Sequence, residues 1–163
     1  MNLEIRPLRP EDEAIVWQML MHAAHEPSLE AVQTQPDLVR YAADWGKQGD
    51  MGYVALLNQT PIGATWLRLW LGEKKGYGYV DDAIPELGIA VLPKHRSQGV
   101  GTQLLHRLLA EARIVFPGVS LSVRSGNPAV RLYQRFGFVK VEASDIPNRV
   151  GGNSFTMVYR FAD

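Results

Sequence analysis

Glu86-Leu-Gly-Ile-Ala-Val-Leu-Pro-Lys-His-Arg-Ser-Gln-Gly-Val-Gly-Thr102, running on through Gln103-Leu-Leu-His-Arg-Leu-Leu-Ala-Glu-Ala-Arg-Ile-Val115, is the stretch on which the fold turns. Glu86 to Leu92 reads as a short apolar strand, stopped by Pro93, which has no N–H for a ladder. Gly99 to Val115 reads as a helix, because Val100, Leu104, Leu105, Leu108, Leu109 and Ala112 fall on one face. Between them lies Arg96-Ser-Gln-Gly-Val-Gly101. A helix start leaves backbone N–H groups unpaired and carries about half a positive charge, so it attracts phosphate. Gly99 and Gly101 remove side chains where a diphosphate would approach the backbone, and Lys94, His95 and Arg96 add positive potential. The same glycines could serve only a tight turn, with the basic residues solvated; the turn alone does not choose. It is neither a Walker P-loop nor a G-x-G-x-x-G dinucleotide turn.

Working outward, Val119 to Arg124 is a further strand, and Asn127-Pro128 supplies a cap and first-turn proline for a helix ending at Gly137. Phe138 to Val141 and Ser154 to Phe161 are closing strands, the latter after a Gly151-Gly152-Asn153 turn. Toward the N-terminus, Leu3 to Arg6 is a strand. Pro10-Glu11-Asp12-Glu13 opens a helix with the apolar stripe Ile15, Val16, Met19, Leu20 and Ala23. A second helix is predicted over Pro36 to Trp45. Met51 to Leu57 and Ile62 to Leu71 read as strands joined by a turn at Asn58-Gln59-Thr60-Pro61, and Gly72 to Asp82 as a loop. Interspersed strands and helices of this kind make an α/β or α+β protein with a mixed sheet.

Composition narrows the function. The 163 residues, 46% hydrophobic and 21% charged, suit one globular domain spanning residues 1–163. Seventeen basic residues balance seventeen acidic ones, which argues against a nucleic-acid partner held by a broad basic face. No membrane association is expected: no apolar run approaches the roughly 18 residues of a span, since Arg68 interrupts the best one, and the start lacks the plan of a secretory signal. There is no cysteine, which removes disulfides, thiolate metal sites and a Cys-based acyl-enzyme, and fits a cytoplasmic location. His22 and His25 with Glu26 lack an evident third ligand, so no metal site is expected.

Taken in order, Arg96-x-x-Gly99-x-Gly101 and Asn127…Leu132-Tyr133…Gly137-Phe138 resemble the two conserved blocks of the GNAT superfamily of N-acetyltransferases. The match covers Glu86 to Val141; the first 80 or so residues fit loosely, through Ile5-Arg6-Pro7 and Glu11-Asp12. The resemblance implies a GNAT-like α/β (α+β) fold, with a mixed, mostly antiparallel central sheet flanked by about four helices, and acetyl-CoA as cosubstrate. It implies that pantetheine pairs with the main chain of Ile89, Ala90 and Val91, and that the diphosphate sits on the backbone of Arg96, Ser97, Gln98, Gly99, Val100, Gly101 and Thr102. Gly88 would mark a bulge opening that strand, or a packing glycine. Asn127 would fix the cofactor amide, or only cap its helix.

The resemblance puts Tyr133 beside the departing CoA thiolate, where its competing role is that of a core aromatic. Reference values of about 10 for a phenol and 8.5 for a thiol put complete proton donation uphill by about 2 kcal/mol, which favours a strengthening hydrogen bond. An acceptor amine with a pKa of about 10.4 must lose a proton before it attacks, at about 4–5 kcal/mol. Glu86 stands where several family members carry an acidic base, with Asp81 and Asp82 as further candidates. Trp66, Arg68 and Trp70 would share a strand face for acceptor selection, with Tyr77 and Tyr79 as aromatic walls. The implied reaction is direct attack by a primary amine of a small molecule or peptide in a ternary complex, since neither a cysteine nor a G-x-S-x-G elbow is present. A non-catalytic acyl-CoA-binding or sensing module, and an enzyme for longer acyl chains, are the alternatives. A homodimer is left open.

Overall fold

Met51–Leu57 (β2) and Thr60–Arg68 (β3) are apolar almost throughout and buried on both faces, forming an antiparallel hairpin. Asn58 and Gln59 both take positive φ, 50° and 69°, so two residues suffice for the turn. The strand therefore begins at Thr60 rather than Ile62, and Pro61 is accommodated where the register shifts at Ala55/Leu56. The computed structural model describes residues 2–73, 75–148 and 151–162; Lys74 of the expected loop lies outside them.

Two compact units divide the chain. The first comprises Met1–Arg68 and Gly88–Glu111. In it Leu3–Pro7 (β1) pairs antiparallel with β2, and a short 3-10 turn at Pro10–Asp12 leads into α1, Glu13–Ala23, which buries Val16, Met19 and Leu20. Ser28 caps Leu29–Gln33 (α2), a helix the sequence reading missed. Pro36–Val39 (α3) stops well short of the expected Trp45. The reason is long-range: the buried Arg68 guanidinium takes the Arg40 and Ala43 carbonyls at 2.9 and 2.7 Å. The Arg40 acceptor is thus engaged by a side chain instead of by a continuing helix. The same guanidinium makes a two-toothed pair with buried Asp50, at 3.0 and 2.8 Å, over the Trp45 ring.

Glu86–Val91 (β4) runs into this unit from Gly88 onward. Thr65 Oγ1 donates to the Gly88 carbonyl at 3.0 Å, and Leu92 N to Ile62 O at 2.8 Å. Val100–Val115 (α4) buries Val100, Leu104, Leu105, Leu108, Leu109 and Ala112, the stripe read from the sequence.

The second unit comprises Leu69–Leu87 and Ala112–Asp163. Its sheet starts at the parallel register pair Glu86↔Ser120, between β4 and Gly118–Arg124 (β5). It continues antiparallel into Asn153–Arg160 (β8), against which the two-residue strands Val139–Lys140 (β6) and Ile146–Pro147 (β7) also pair. Ala129–Phe136 (α5) ends at Gly137, whose φ is 114°. Pairings run β1-β2-β3-β4-β5-β8-β6, with β7 also on β8. The described residues thus form an eight-stranded, mostly antiparallel sheet with five helices, one more than expected.

Gly137 terminates α5, and a Cβ there would lie 3.1 Å from the Tyr159 ring. Gly137→Ala is expected to lower stability by about 1–3 kcal/mol, from the left-handed backbone plus that contact, read as an earlier urea midpoint with unchanged slope.

Candidate active site

The turn between β4 and α4 is built by local rules. Pro93 opens a 3-10 turn at Pro93–His95, and Ser97 and Gly99 take positive φ, 62° and 82°. Buried Val100 anchors the helix start, while Arg96, Ser97, Gln98, Gly99 and Thr102 are exposed and Gly101 is half-buried. The first helical hydrogen bond runs from Gln103 N to Gly99 O at 3.1 Å; among the described residues, no protein acceptor takes the amides of residues 97–102. A Cβ built on Gly99 meets no atom within 4 Å, so that side of the loop is open. This is a row of backbone donors at the positive end of a long helix, suited to a polyanion.

Arg96 differs from its neighbours. Its amide has Pro93 O at 3.5 Å, and its side chain turns back to brace the Val91 carbonyl at 2.9 Å. Gln98 likewise turns back, to Lys94 O at 3.4 Å. His22 of α1 is half-buried; burial, and then the Arg96 charge, hold its imidazole below the usual value. On β4, a Cβ at Gly88 would stand 2.9 Å from the Trp66 indole, which supplies a packing reason for that glycine. Ile89, Ala90 and Val91 follow on the same strand.

In the second unit, Tyr133 of α5 is buried against Phe138, edge to face at 6.0 Å. Its hydroxyl makes no hydrogen bond among the described residues, and burial pushes its pKa up to about 12. Asn127 Oδ1 accepts from Ala129 N at 2.9 Å, so the helix-start role is filled by the oxygen. Its Nδ2 has no partner among the described residues and stays available as a donor.

Of the three acids considered as a base, only Glu86 is buried, at 3% exposure. Trp70 Nε1 donates to its Oε1 at 2.9 Å. Asp82 is exposed and engaged by Lys75 at 3.0 Å and the Tyr79 hydroxyl at 2.6 Å, while Asp81 accepts from Ala83 N at 2.8 Å.

The expected acceptor face of β3 does not exist. The strand ends at Arg68, Trp66 is buried with its indole N–H on Tyr41 O at 3.1 Å, and Arg68 is locked to Asp50. Trp70 lies past the strand end and belongs to Glu86 instead, a partnership that sequence spacing gave no means of finding. Gly76 and Gly78, which pack on the same carboxylate, were legible only as loop glycines. Among the described residues, no three His, Asp or Glu side chains gather as metal ligands, and no helix is long and apolar enough to cross a membrane.

Comparison with known proteins agrees on one family. Residues 17–138 match the model of the acetyltransferase (GNAT) family. No curated protein sequence matches. Among solved structures, an acetyltransferase of the GNAT family from Streptococcus pneumoniae superposes with a TM-score of 0.72 at 18% identity, covering 99% of this chain and 100% of the other. The ribosomal-protein-S18-alanine N-acetyltransferase of Escherichia coli gives 0.72 at 20% identity, over 99% and 96%. The yncA protein of Salmonella typhimurium, solved with its cofactor acetyl-CoA, gives 0.71 at 22%, over 100% and 96%. With three-quarters of its length under the family model, and with the sheet and the donor-rich turn that its second half encodes, the chain belongs to the acetyltransferase (GNAT) family, acyltransferases whose cosubstrate is acetyl-CoA.

Proposed function

We propose that this chain, acting as a single acetyltransferase domain, moves the acetyl group of acetyl-CoA to a primary amine of a small molecule or peptide, by direct attack in a ternary complex. The observation that carries the reading is the run of amides from Ser97 to Thr102 with no protein acceptor among the described residues, beside the open face of Gly99. These groups fit a diphosphate, and Ile89, Ala90 and Val91 offer main-chain groups to the pantetheine arm in the manner of an added strand. Arg96 acts through its side chain, bracing the turn, and Asn127 Nδ2 offers a donor to the cofactor's amide.

Acetyl-CoA supplies an activated thioester. The amine nitrogen forms a bond to its carbonyl carbon, the C–S bond breaks, and CoA leaves as thiolate. Glu86 attracts the ammonium and accepts the proton it must lose before attack, a loss that costs about 4–5 kcal/mol at neutral pH. Tyr133 donates a hydrogen bond to the sulfur as charge develops. With its pKa near 12 against about 8.5 for the thiol, complete transfer is uphill by about 5 kcal/mol, so the hydrogen bond itself is the contribution. Support for an amine acceptor comes from the buried Glu86 carboxylate and from the E. coli structural neighbour, whose named acceptor is an alanine.

The test is a screen of acetyl-CoA with polyamines, amino acids, aminoglycosides and peptide N-termini, following thiol release and product mass. Amine-dependent thiol release with an N-acetylated product is expected for one of these classes. Tight CoA binding with no transfer to any amine would instead support the sensing module.

A further inference from the structure

A buried carboxylate is costly unless it is hydrogen-bonded, and the Trp70 indole is a partner of Glu86 that no motif announces. The Trp70 indole N–H reaches its Oε1 at 2.9 Å, in a fully buried bond. The loop after Trp70 closes over that bond. A Cβ on Gly76 would collide with Glu86 Oε1 and stand 2.5 Å from the Trp70 ring. One on Gly78 would stand 2.9 Å from Glu86 Oε2 and 2.6 Å from the Leu121 main chain. Both carboxylate oxygens are thus bounded by glycine backbone, at two positions where any side chain would displace them.

Charged groups of the loop pair with one another. Lys75 Nζ donates to the Trp70 carbonyl at 3.4 Å and to Asp82 at 3.0 Å, and lies 4.6 Å over the ring of Tyr79, whose hydroxyl also donates to Asp82. Asp81 is turned to the Ala83 amide. From β5, Ser120 is the register partner of Glu86, and Leu121 and Ser122 stand beside Gly78. The Ser120 hydroxyl is buried without a hydrogen-bond partner among the described residues.

We propose that Trp70 is the positioning residue for Glu86: its indole N–H, backed by Gly76 and Gly78, fixes the orientation of the carboxylate that receives the acceptor's proton. The inference rests on the reading of Glu86 as the base. A hydrogen bond to the charged form favours that form, so deleting the donor makes the carboxylate more basic and less well placed.

Trp70→Phe keeps the aromatic body and removes the donor. In the full-length enzyme, the carboxyl carbon-13 resonance of Glu86 and the acidic limb of kcat/KM for the amine are expected to move together to higher pH, by about one pH unit, with KM for acetyl-CoA unchanged. Gly76→Ala keeps the indole donor but presses on both the carboxylate oxygen and the Trp70 ring, so it disturbs the same bond without deleting the N–H. It is expected to move both midpoints the same way, so a poorly folding Trp70 variant does not decide the matter. An unmoved Glu86 resonance in a folded variant overturns the positioning role. A moved resonance with an unmoved activity limb, or an acidic limb that survives Glu86→Gln, overturns the base reading instead, and the positioning of a base falls with it.

Discussion

Gly99→Asp is expected to yield a folded protein whose affinity for CoA is lower by at least ~100-fold, about 2.7 kcal/mol. Two effects act in the same direction. At φ 82°, residue 99 sits in the left-handed region, and a non-glycine residue there costs about 1–3 kcal/mol of strain. The larger effect is electrostatic. A carboxylate among the amides of residues 97–102 would compete for those donors and repel the diphosphate, with roughly 4 kcal/mol at stake for a pair of charges ~4 Å apart near a protein surface. Because a Cβ at this position touches nothing within 4 Å, the change introduces no clash inside the fold. Gly99→Ala separates the two effects: it keeps the strain, adds only a methyl, and should lose less affinity. Calorimetric titration with CoA measures both, and near-normal binding by the Asp variant would remove Gly99 from the phosphate site.

Tyr133→Phe is expected to lower kcat by about 10²-fold while the Kd for acetyl-CoA changes little. The ring makes the edge-to-face contact with Phe138, and phenylalanine keeps it, so packing is preserved. What disappears is a hydroxyl that bonds nothing among the described residues, which is why stability should hardly change while turnover falls. Burial holds the phenol's pKa near 12, so it stays protonated through the assay range, and any basic limb below about pH 10 must belong to another group. Single-turnover and steady-state kinetics make the comparison; unchanged kcat would return Tyr133 to the core.

What was legible in the sequence was what local physics decides. The α4 stripe from Val100 to Ala112 is a periodicity, and the residues it names are buried. Pro93, Asn127 and Gly137 act within a few residues of themselves, as a strand stop, a helix-start acceptor and a left-handed terminus. The turn from Arg96 to Thr102 belongs to the same class, because unpaired amides at a helix start follow from sequence order alone.

The errors lie where distant residues compete. The helix from Pro36 ends where Arg68, 28 residues from Arg40, takes the Arg40 carbonyl that a continuing helix would have used. α2 is too short for a period to register and is announced only by its Ser28 cap. Alternation puts Trp70 on the face of β3, yet the strand ends at Arg68 and its indole serves Glu86 across a loop of glycines. Neither partner could be paired from spacing, because the contact depends on how that loop folds back.

The most direct test follows the backbone itself. In a nitrogen-15 heteronuclear titration with CoA, the amide resonances of Ser97, Gln98, Gly99, Val100, Gly101 and Thr102 should show large, saturating shifts, and pantetheine, which lacks the diphosphate, should leave them nearly still. If CoA saturates the protein while those amides do not move, the anion is bound elsewhere and the donor row at the start of α4 is not its cradle.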